Sequence, residues 1–221
     1  TWIKNIHTWK SPNPKDEGIT TLKNAIILIK DKGSIGCEMG RESFIRMTLN
    51  DFNKLDNNLS NHKFVDASDL IWKLRMIKSI NEISKIKKII SIASQSFDDL
   101  PNLININQSE IEITNVMKKR MIDLGADHTI YMSCASGQAG YDQIICDPTN
   151  KKLTSGDVLV IDTGTTLEGY FCDFNRNFAF GKIENKTKDA YEILWEATHE
   201  GMQKIKPGNT CADISKIMEE I

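Results

Sequence analysis

The sequence predicts an α+β fold in which an antiparallel sheet is covered by helices. Three observations favour this fold class. Residues 80–97 carry apolar side chains at every third or fourth position, as one face of a helix requires. Residues 158–181 (VLVIDTGTTLEGYFCDFNRNFAFG) form two apolar runs around a short polar stretch, which is typical of a β-hairpin. Helical patterns stand before and after this hairpin, so that helices and strands are grouped along the chain.

The first 68 residues predict a small αβαβ domain. Its predicted elements alternate between helix and strand, at 16–33, 34–38, 49–59 and 63–68. No cluster of catalytic or metal-binding side chains is visible in this part of the sequence. Residues 69–79 predict a linker that becomes helical, and residues 80–221 then form the second, larger domain.

A second helix of the larger domain begins at Ser109, because the tetrapeptide SEIE forms a capping box. Its apolar face ends before Gly125, a residue that suits a helix C-terminus. A strand over 128–136 follows, and a stretch rich in turn residues leads from it to the hairpin. The next helix is predicted over 189–205. The side chains that we expect it to bury are Ala190, Ile193, Leu194, Ala197 and Ile205.

Charge and cysteine content narrow the class of protein. A net charge of −2 gives no basic face for nucleic acid. The longest apolar run, residues 24–29, is too short to span a bilayer, so no membrane contact is expected. The five cysteines are scattered and include no C-x-x-C pair, which predicts neither a disulfide framework nor a zinc knuckle. We therefore expect a reducing, cytoplasmic setting.

Two aspartates, Asp162 and Asp173, stand among the apolar residues of the hairpin. If the hairpin is symmetric about Leu167 and Glu168, the two aspartates lie directly opposite each other. Such partners have Cβ atoms about 4.5–5.5 Å apart, and two ionised carboxylates at that distance repel each other. A shared proton, a neighbouring Arg176, a solvated sheet face or a bound metal would relieve the repulsion. Carboxylate oxygens at this spacing suit one divalent cation or a close pair of them.

The hairpin and its surroundings resemble the creatinase/prolidase/methionine aminopeptidase superfamily, and Xaa-Pro aminopeptidases within it. The residues that carry the resemblance are Gly156, Asp157, Asp162, Gly164, Gly169, Tyr170, Asp173, Asn175, Arg176 and Phe178. The resemblance extends upstream over residues 70–94 and downstream over residues 206–214. It implies a pita-bread catalytic domain, preceded by the later part of a creatinase-type N-terminal domain. It also implies a homodimer.

The resemblance implies a dinuclear site of Mn, Co, Zn or Fe, in which Asp162 binds one ion and Asp173 bridges two. These ions would hold a hydroxide, because metal binding lowers the pKa of water, and they would polarise a scissile carbonyl. The implied activity is hydrolysis of a C–N bond in a peptide or small amide. The superfamily's remaining ligands, one His and two Glu, come from later strands. We expect the chain to continue beyond Ile221, because its last predicted helix ends there without a stop signal.

One departure from the superfamily's pattern concerns a histidine that usually assists catalysis just before the Gly-Asp pair. Residues 140–153 contain no histidine, and the nearest one, His128, is expected to be an ordinary, partly buried strand residue. No catalytic residue is therefore assigned. Tyr141 and Asp142 are expected to line the substrate pocket, although Asp142 equally suits a turn that caps its own backbone. Two alternatives stay open: a metal-free, creatinase-type hydrolase of a small zwitterionic substrate, and a non-catalytic binding module on the same fold.

Overall fold

The computed structural model describes residues 3–138 and 145–221. The chain divides into two compact units, Thr1–Lys78 and Ser79–Ile221. Within the described ranges, no helix combines the length and the apolar composition that crossing a membrane requires.

The first unit is a small α/β arrangement. Its elements are α1 (Ile19–Ile29), β1 (Gly33–Cys37), α2 (Leu49–Asn57), β2 (His62–Asp66) and α3 (Ser68–Met76). The two strands pair in parallel, with Ile35 opposite Phe64. Both of these side chains pack against a small core. The buried residues of that core are Ile19, Leu55 and Leu59. The predicted order of helices and strands is therefore present, although Gly33 begins β1 and does not end α1.

The second unit contains a three-stranded antiparallel sheet and four helices in its described residues. The elements are α4 (Ile80–Leu103), α5 (Glu110–Asp123), β3 (His128–Gly137), β4 (Val158–Leu167), β5 (Tyr170–Ala179), α6 (Asn185–Gln203) and α7 (Cys211–Glu219). The strand order is β3-β4-β5. The central strand, β4, is therefore hydrogen-bonded on both sides, and it carries one of the two aspartates.

One face of the sheet packs on α4 and α5, as the apolar periodicity predicts. The buried side chains from the helices include Ile89, Ala93, Phe97, Leu100, Ile113, Met117 and Met121. The sheet contributes Leu159, Ile161 and Cys172, among others. The predicted capping box at Ser109 is confirmed: its hydroxyl accepts from the Glu112 amide, and the Glu112 carboxylate accepts from the Ser109 amide. Because successive strand residues alternate between faces, the residues between these core positions lie on the opposite face of the sheet.

The predicted burial of the apolar residues at 189–205 is wrong for four of the five positions, of which Ile205 lies beyond the end of α6. Ala197 is buried, but Ala190 is exposed, and so are Ile193, Leu194 and Ile205. The reason is that α6 packs on α7 through its small residues. A Cβ atom added to Gly201 would lie 2.8 Å from the Met218 sulfur. Small residues allow this close approach. Bulkier side chains of α6, among them Leu194 and Trp195, instead line an open cavity beside Val160.

Shortening a core side chain on α5 is expected to lower the free energy of unfolding. Ile113 has no exposed surface, so that Ile113→Val removes one methyl group from a closed core and should cost about 0.5–1.5 kcal/mol. Ile111→Val on the same helix is the control, because Ile111 is 37% exposed. Urea unfolding of both variants checks the prediction. Equal losses would contradict the placement of Ile113 in the core.

Candidate metal centre

The β4–β5 hairpin turns at Glu168 and Gly169, one residue later than symmetry about Leu167 and Glu168 predicts. Leu167 pairs with Tyr170, which leaves a two-residue turn. Both turn residues have positive φ angles, 51° and 81°, as a type I′ turn requires. The Glu168 amide donates to Asp127 Oδ2 (2.6 Å), and its carboxylate pairs with Lys85 at 3.0 Å. These contacts hold a non-glycine residue in a conformation that favours glycine.

The later turn changes the pairing of the two aspartates. Asp162 lies opposite Asn175, and Asp173 lies opposite Gly164. The prediction that the aspartates are direct partners is therefore wrong. Because positions two residues apart share a face, the two carboxylates are diagonal neighbours on the face of the sheet away from α4 and α5.

A tyrosine hydroxyl connects the two carboxylates. Tyr131 on β3 lies opposite Gly164, on the same face of the sheet. Its hydroxyl oxygen is 2.7 Å from Oδ1 of Asp173 and 3.1 Å from Oδ1 of Asp162. A phenol has one hydrogen to donate, so the two carboxylates share a single donor. Tyr131 is not among the groups that the sequence predicts to relieve the repulsion, which are a shared proton, Arg176, solvent and a bound metal.

Two features of the sheet bring Tyr131 to this position. The register of β3 against β4 shifts between Thr129 and Tyr131, as in a β-bulge, and bulges redirect side chains. Gly164 leaves room for the ring, since a Cβ atom there would lie 3.0 Å from Tyr131 Cε1. A glycine inside an apolar strand is a sign of close approach, and it was the signal available in the sequence.

Arg176 does not neutralise either aspartate in the structure. The Arg176 guanidinium lies over the Phe174 ring, 5.0 Å from its centroid, and donates to the Asn175 carbonyl. The ion pairs within the described ranges include none between Arg176 and either aspartate. Partial burial of the Tyr131 ring, which stays 39% exposed, and then the hydrogen bonds to the two aspartates raise the pKa of Tyr131 above its ordinary value.

The segment that precedes β4, residues 145–153 in its described part, is hydrogen-bonded to the edge of β3 and is called the returning segment below. Ser133 lies opposite Asp162. Its hydroxyl donates to the Cys146 carbonyl (2.8 Å) and accepts from the Cys146 amide (2.9 Å). Ile145, next to Cys146, is 84% exposed. The stretch where the superfamily usually carries its histidine therefore contributes a thiol and an apolar side chain in its described part, residues 145–153.

A buried carboxylate, that of Glu110, binds both β3 and the returning segment. Glu110, at the start of α5, is 3% exposed. Its Oε1 accepts from the amide and the hydroxyl of Ser136, each at 2.8 Å. Its Oε2 accepts from the Thr149 amide at 3.0 Å and the Thr149 hydroxyl at 2.7 Å. Glu110 thus joins the end of β3 to the returning segment, a role that no local sequence pattern indicates.

The donor set suits a hard divalent cation but supplies only part of its ligands. Asp162 and Asp173 offer carboxylate oxygens on one face, which is the chemistry such ions prefer. Across residues 3–138 and 145–221, no three His, Cys, Asp or Glu side chains are grouped so that they could hold a metal ion. His128 lies at the start of β3 and is exposed, so the prediction that it is partly buried is wrong, and it does not complete such a group. The predicted pocket residues Tyr141 and Asp142 lie outside the described residues.

Comparison with known sequences places the second unit in an enzyme family. A family model described as metallopeptidase family M24 matches residues 84–221. An uncharacterized peptidase, YqhT of Bacillus subtilis, is 30% identical over 154 residues, which cover 69% of this chain and 43% of that protein. An Xaa-Pro dipeptidase of Pyrococcus horikoshii is 28% identical over 169 residues, which cover 72% of this chain and 45% of that protein.

Solved structures share the fold. The X-Pro aminopeptidase of Thermotoga maritima superposes with a TM-score of 0.80 and 27% identity, over 94% of this chain and 57% of that one. The prolidase of Pyrococcus furiosus gives a TM-score of 0.73 and 26% identity, over 89% of this chain and 57% of that one. These likenesses confirm the predicted α+β, pita-bread fold class. This chain spans roughly half the length of the proteins it resembles.

Proposed function

The chain belongs to metallopeptidase family M24, and from this premise we propose that the protein is a metal-dependent hydrolase of C–N bonds in peptides. We propose an activity like that of Xaa-Pro aminopeptidases and prolidases. The observation that carries the proposal is the pair of carboxylates, Asp162 and Asp173, on one face of the sheet with a hydroxyl between them. Asp173 is exposed and Asp162 is half-buried, so that solvent and the tyrosine hydroxyl weaken the repulsion between the two acids, and a bound cation would offset what remains of it.

Asp162 and Asp173 would supply oxygen ligands to two divalent ions, chosen among Mn, Co, Zn and Fe. Bound divalent ions lower the pKa of water and polarise a scissile carbonyl, which is the chemistry that amide hydrolysis needs. The role of this chain's residues is to hold the carboxylates together on a rigid three-stranded sheet. The ligands missing from the described residues would come from elsewhere in the whole protein.

Removal of metal from the full-length protein tests the proposal. The purified protein should hydrolyse a dipeptide with proline at its second position. Activity should fall to background after dialysis against a chelator and return when Mn²⁺ is added. Metal content, measured by mass spectrometry before and after dialysis, should follow activity. A metal-loaded protein that leaves a panel of peptides and small amides intact would contradict the proposal and favour a binding module.

The metal-free, creatinase-type hydrolase is the second candidate. The observation that favours it is the segment before the Gly156–Asp157 pair, where Cys146 and the exposed Ile145 stand in the region of the usual histidine. The chelation experiment separates the two candidates. Hydrolysis of a small zwitterionic amide that continues without detectable metal would favour the creatinase-type reaction.

The partners and the cellular setting stay predictions. A homodimer is implied by the resemblance alone. All five cysteines are free thiols in the structure, which supports the proposal of a reducing, cytoplasmic setting. The peptidase relatives support a peptide as the partner, and the small net charge gives no basic face for nucleic acid.

A further inference from the structure

We propose that Tyr131 is a positioning residue, whose hydroxyl holds Asp162 and Asp173 in the arrangement that binds the metal while itself staying outside the metal's coordination. This inference rests on the proposed function, since it assigns a role at the same site. Tyr131 touches both carboxylates, so a change in its hydroxyl should alter metal binding directly.

The hydrogen bonds leave the carboxylates able to bind a cation. Tyr131 approaches Oδ1 of Asp173 and Oδ1 of Asp162, at 2.7 and 3.1 Å. Each carboxylate has two oxygens and about four lone-pair sites, so one hydrogen bond leaves capacity on the same group. Carboxylates that bind metals are commonly held by such a further hydrogen bond, which fixes their orientation. The tyrosine is therefore in the right place to orient both ligands at once.

The phenol is itself held in place, which a positioning role requires. Its ring lies against Gly164, where a Cβ atom would come within 3.0 Å of Cε1. The Tyr131 carbonyl accepts a hydrogen bond from the Thr163 hydroxyl at 2.8 Å. Backbone pairing to β4 and this side-chain contact fix the strand, and the glycine fixes the distance between the ring and the sheet. The position of the Tyr131 hydroxyl beside the two carboxylates is therefore set by the sheet itself.

Loss of the hydroxyl removes a donor that the two carboxylates share. The two acids then repel each other without that donor and adopt more orientations, so that binding a cation has to order them. Removing hydrogen bonds of this kind around a metal site weakens metal binding by about 10- to 100-fold. We expect this loss for Tyr131→Phe, which keeps the ring over Gly164.

The experiment titrates the metal-free, full-length protein with Mn²⁺ alone and follows the heat of binding. Tyr131→Phe should bind Mn²⁺ about 10- to 100-fold more weakly than the unchanged protein. The matched control is Tyr170→Phe, because the Tyr170 hydroxyl also donates to a carboxylate, that of Glu82 at 3.0 Å. Tyr170 lies on the helix-facing side of the hairpin, so this control should bind Mn²⁺ like the unchanged protein. Circular dichroism establishes that each variant is folded.

The outcomes separate this inference from the proposed function. If the unchanged protein does not bind Mn²⁺, the proposed metal site is wrong and the inference falls with it. If it binds and Tyr131→Phe binds equally well, only the positioning role is overturned. Tighter binding by Tyr131→Phe would also overturn it, because the hydroxyl would then compete with the cation. Should Tyr131→Phe fail to fold, Tyr131→Leu removes the hydroxyl and leaves a shorter side chain beside Gly164, and it should weaken Mn²⁺ binding in the same direction.

Discussion

Replacing Asp173 with asparagine in the full-length protein is expected to lower kcat/KM for peptide hydrolysis by about a thousandfold or more. Asparagine keeps the shape of the side chain but removes its negative charge and one of its two oxygens. A metal ion in such a site contributes several kcal/mol to stabilising the transition state, and each 1.36 kcal/mol corresponds to a tenfold change in rate. Loss of a proposed bridging ligand therefore removes most of the catalysis, whichever of the four metals is bound.

The measurement pairs the peptide assay with metal analysis of the same samples. The Asp173→Asn protein should retain less metal after dialysis than the unchanged protein. Asp98→Asn on α4 is the control, because Asp98 is exposed, the change in charge is identical, and α4 covers the opposite face of the sheet. Hydrolysis by Asp173→Asn at the rate of the unchanged protein would contradict the assignment of Asp173 as a metal ligand.

The helices could be predicted from the sequence because their signals are local. The capping box at Ser109 needs four neighbouring residues, and the apolar face of α5 needs a period of three to four. Ile113, Met117 and Met121 therefore fall in the core as the pattern indicates. The pattern on α6 predicts a helix equally well. It does not predict the neighbour against which the helix packs, and Ala197 is the one predicted residue of that face that is buried.

The geometry of the site could be predicted only in part. The sequence shows that Asp162 and Asp173 share a hairpin, but an error of one residue in the turn changes every pair. Gly169, the second residue of the type I′ turn, was the available signal for the correct register. Tyr131 is 31 and 42 residues away from the two aspartates in the chain. The contact between Tyr131 and the aspartates depends on a bulge in β3 that no local sequence pattern predicts.

The carboxylate of Glu110 likewise has no sequence signal beyond its place in the first turn of α5. Its partners, Ser136 and Thr149, lie 26 and 39 residues further along the chain. A buried carboxylate is costly unless hydrogen bonds offset the loss of water. Four donors converge on this one, so the group is well satisfied only while the end of β3 and the returning segment stay in place.

Glu110→Gln is therefore expected to lower the free energy of unfolding by about 3 kcal/mol. Glutamine has nearly the same shape, but its amide nitrogen donates, so it faces either the two Ser136 donors or the two Thr149 donors. A buried donor left without an acceptor costs about 1–3 kcal/mol, and hydrogen bonds to a charged group are stronger than neutral ones. The variant loses a charge and leaves the backbone N–H of Ser136 or of Thr149 without an acceptor in a pocket closed to water, since only the hydroxyls can rotate to accept from the new amide.

Urea unfolding measures the loss, and hydrogen exchange locates it at the Ser136 and Thr149 amides, whose protection should fall first. Glu112→Gln is the matched control: it lies in the same first turn, undergoes the same chemical change and is exposed. It should unfold at a urea concentration much closer to that of the unchanged protein. If the two variants lose equal stability and the Ser136 amide stays protected, Glu110 acts only at the helix terminus. A selective loss in Glu110→Gln would instead mean that one buried carboxylate holds β3, which carries Tyr131, to the segment that returns beside it.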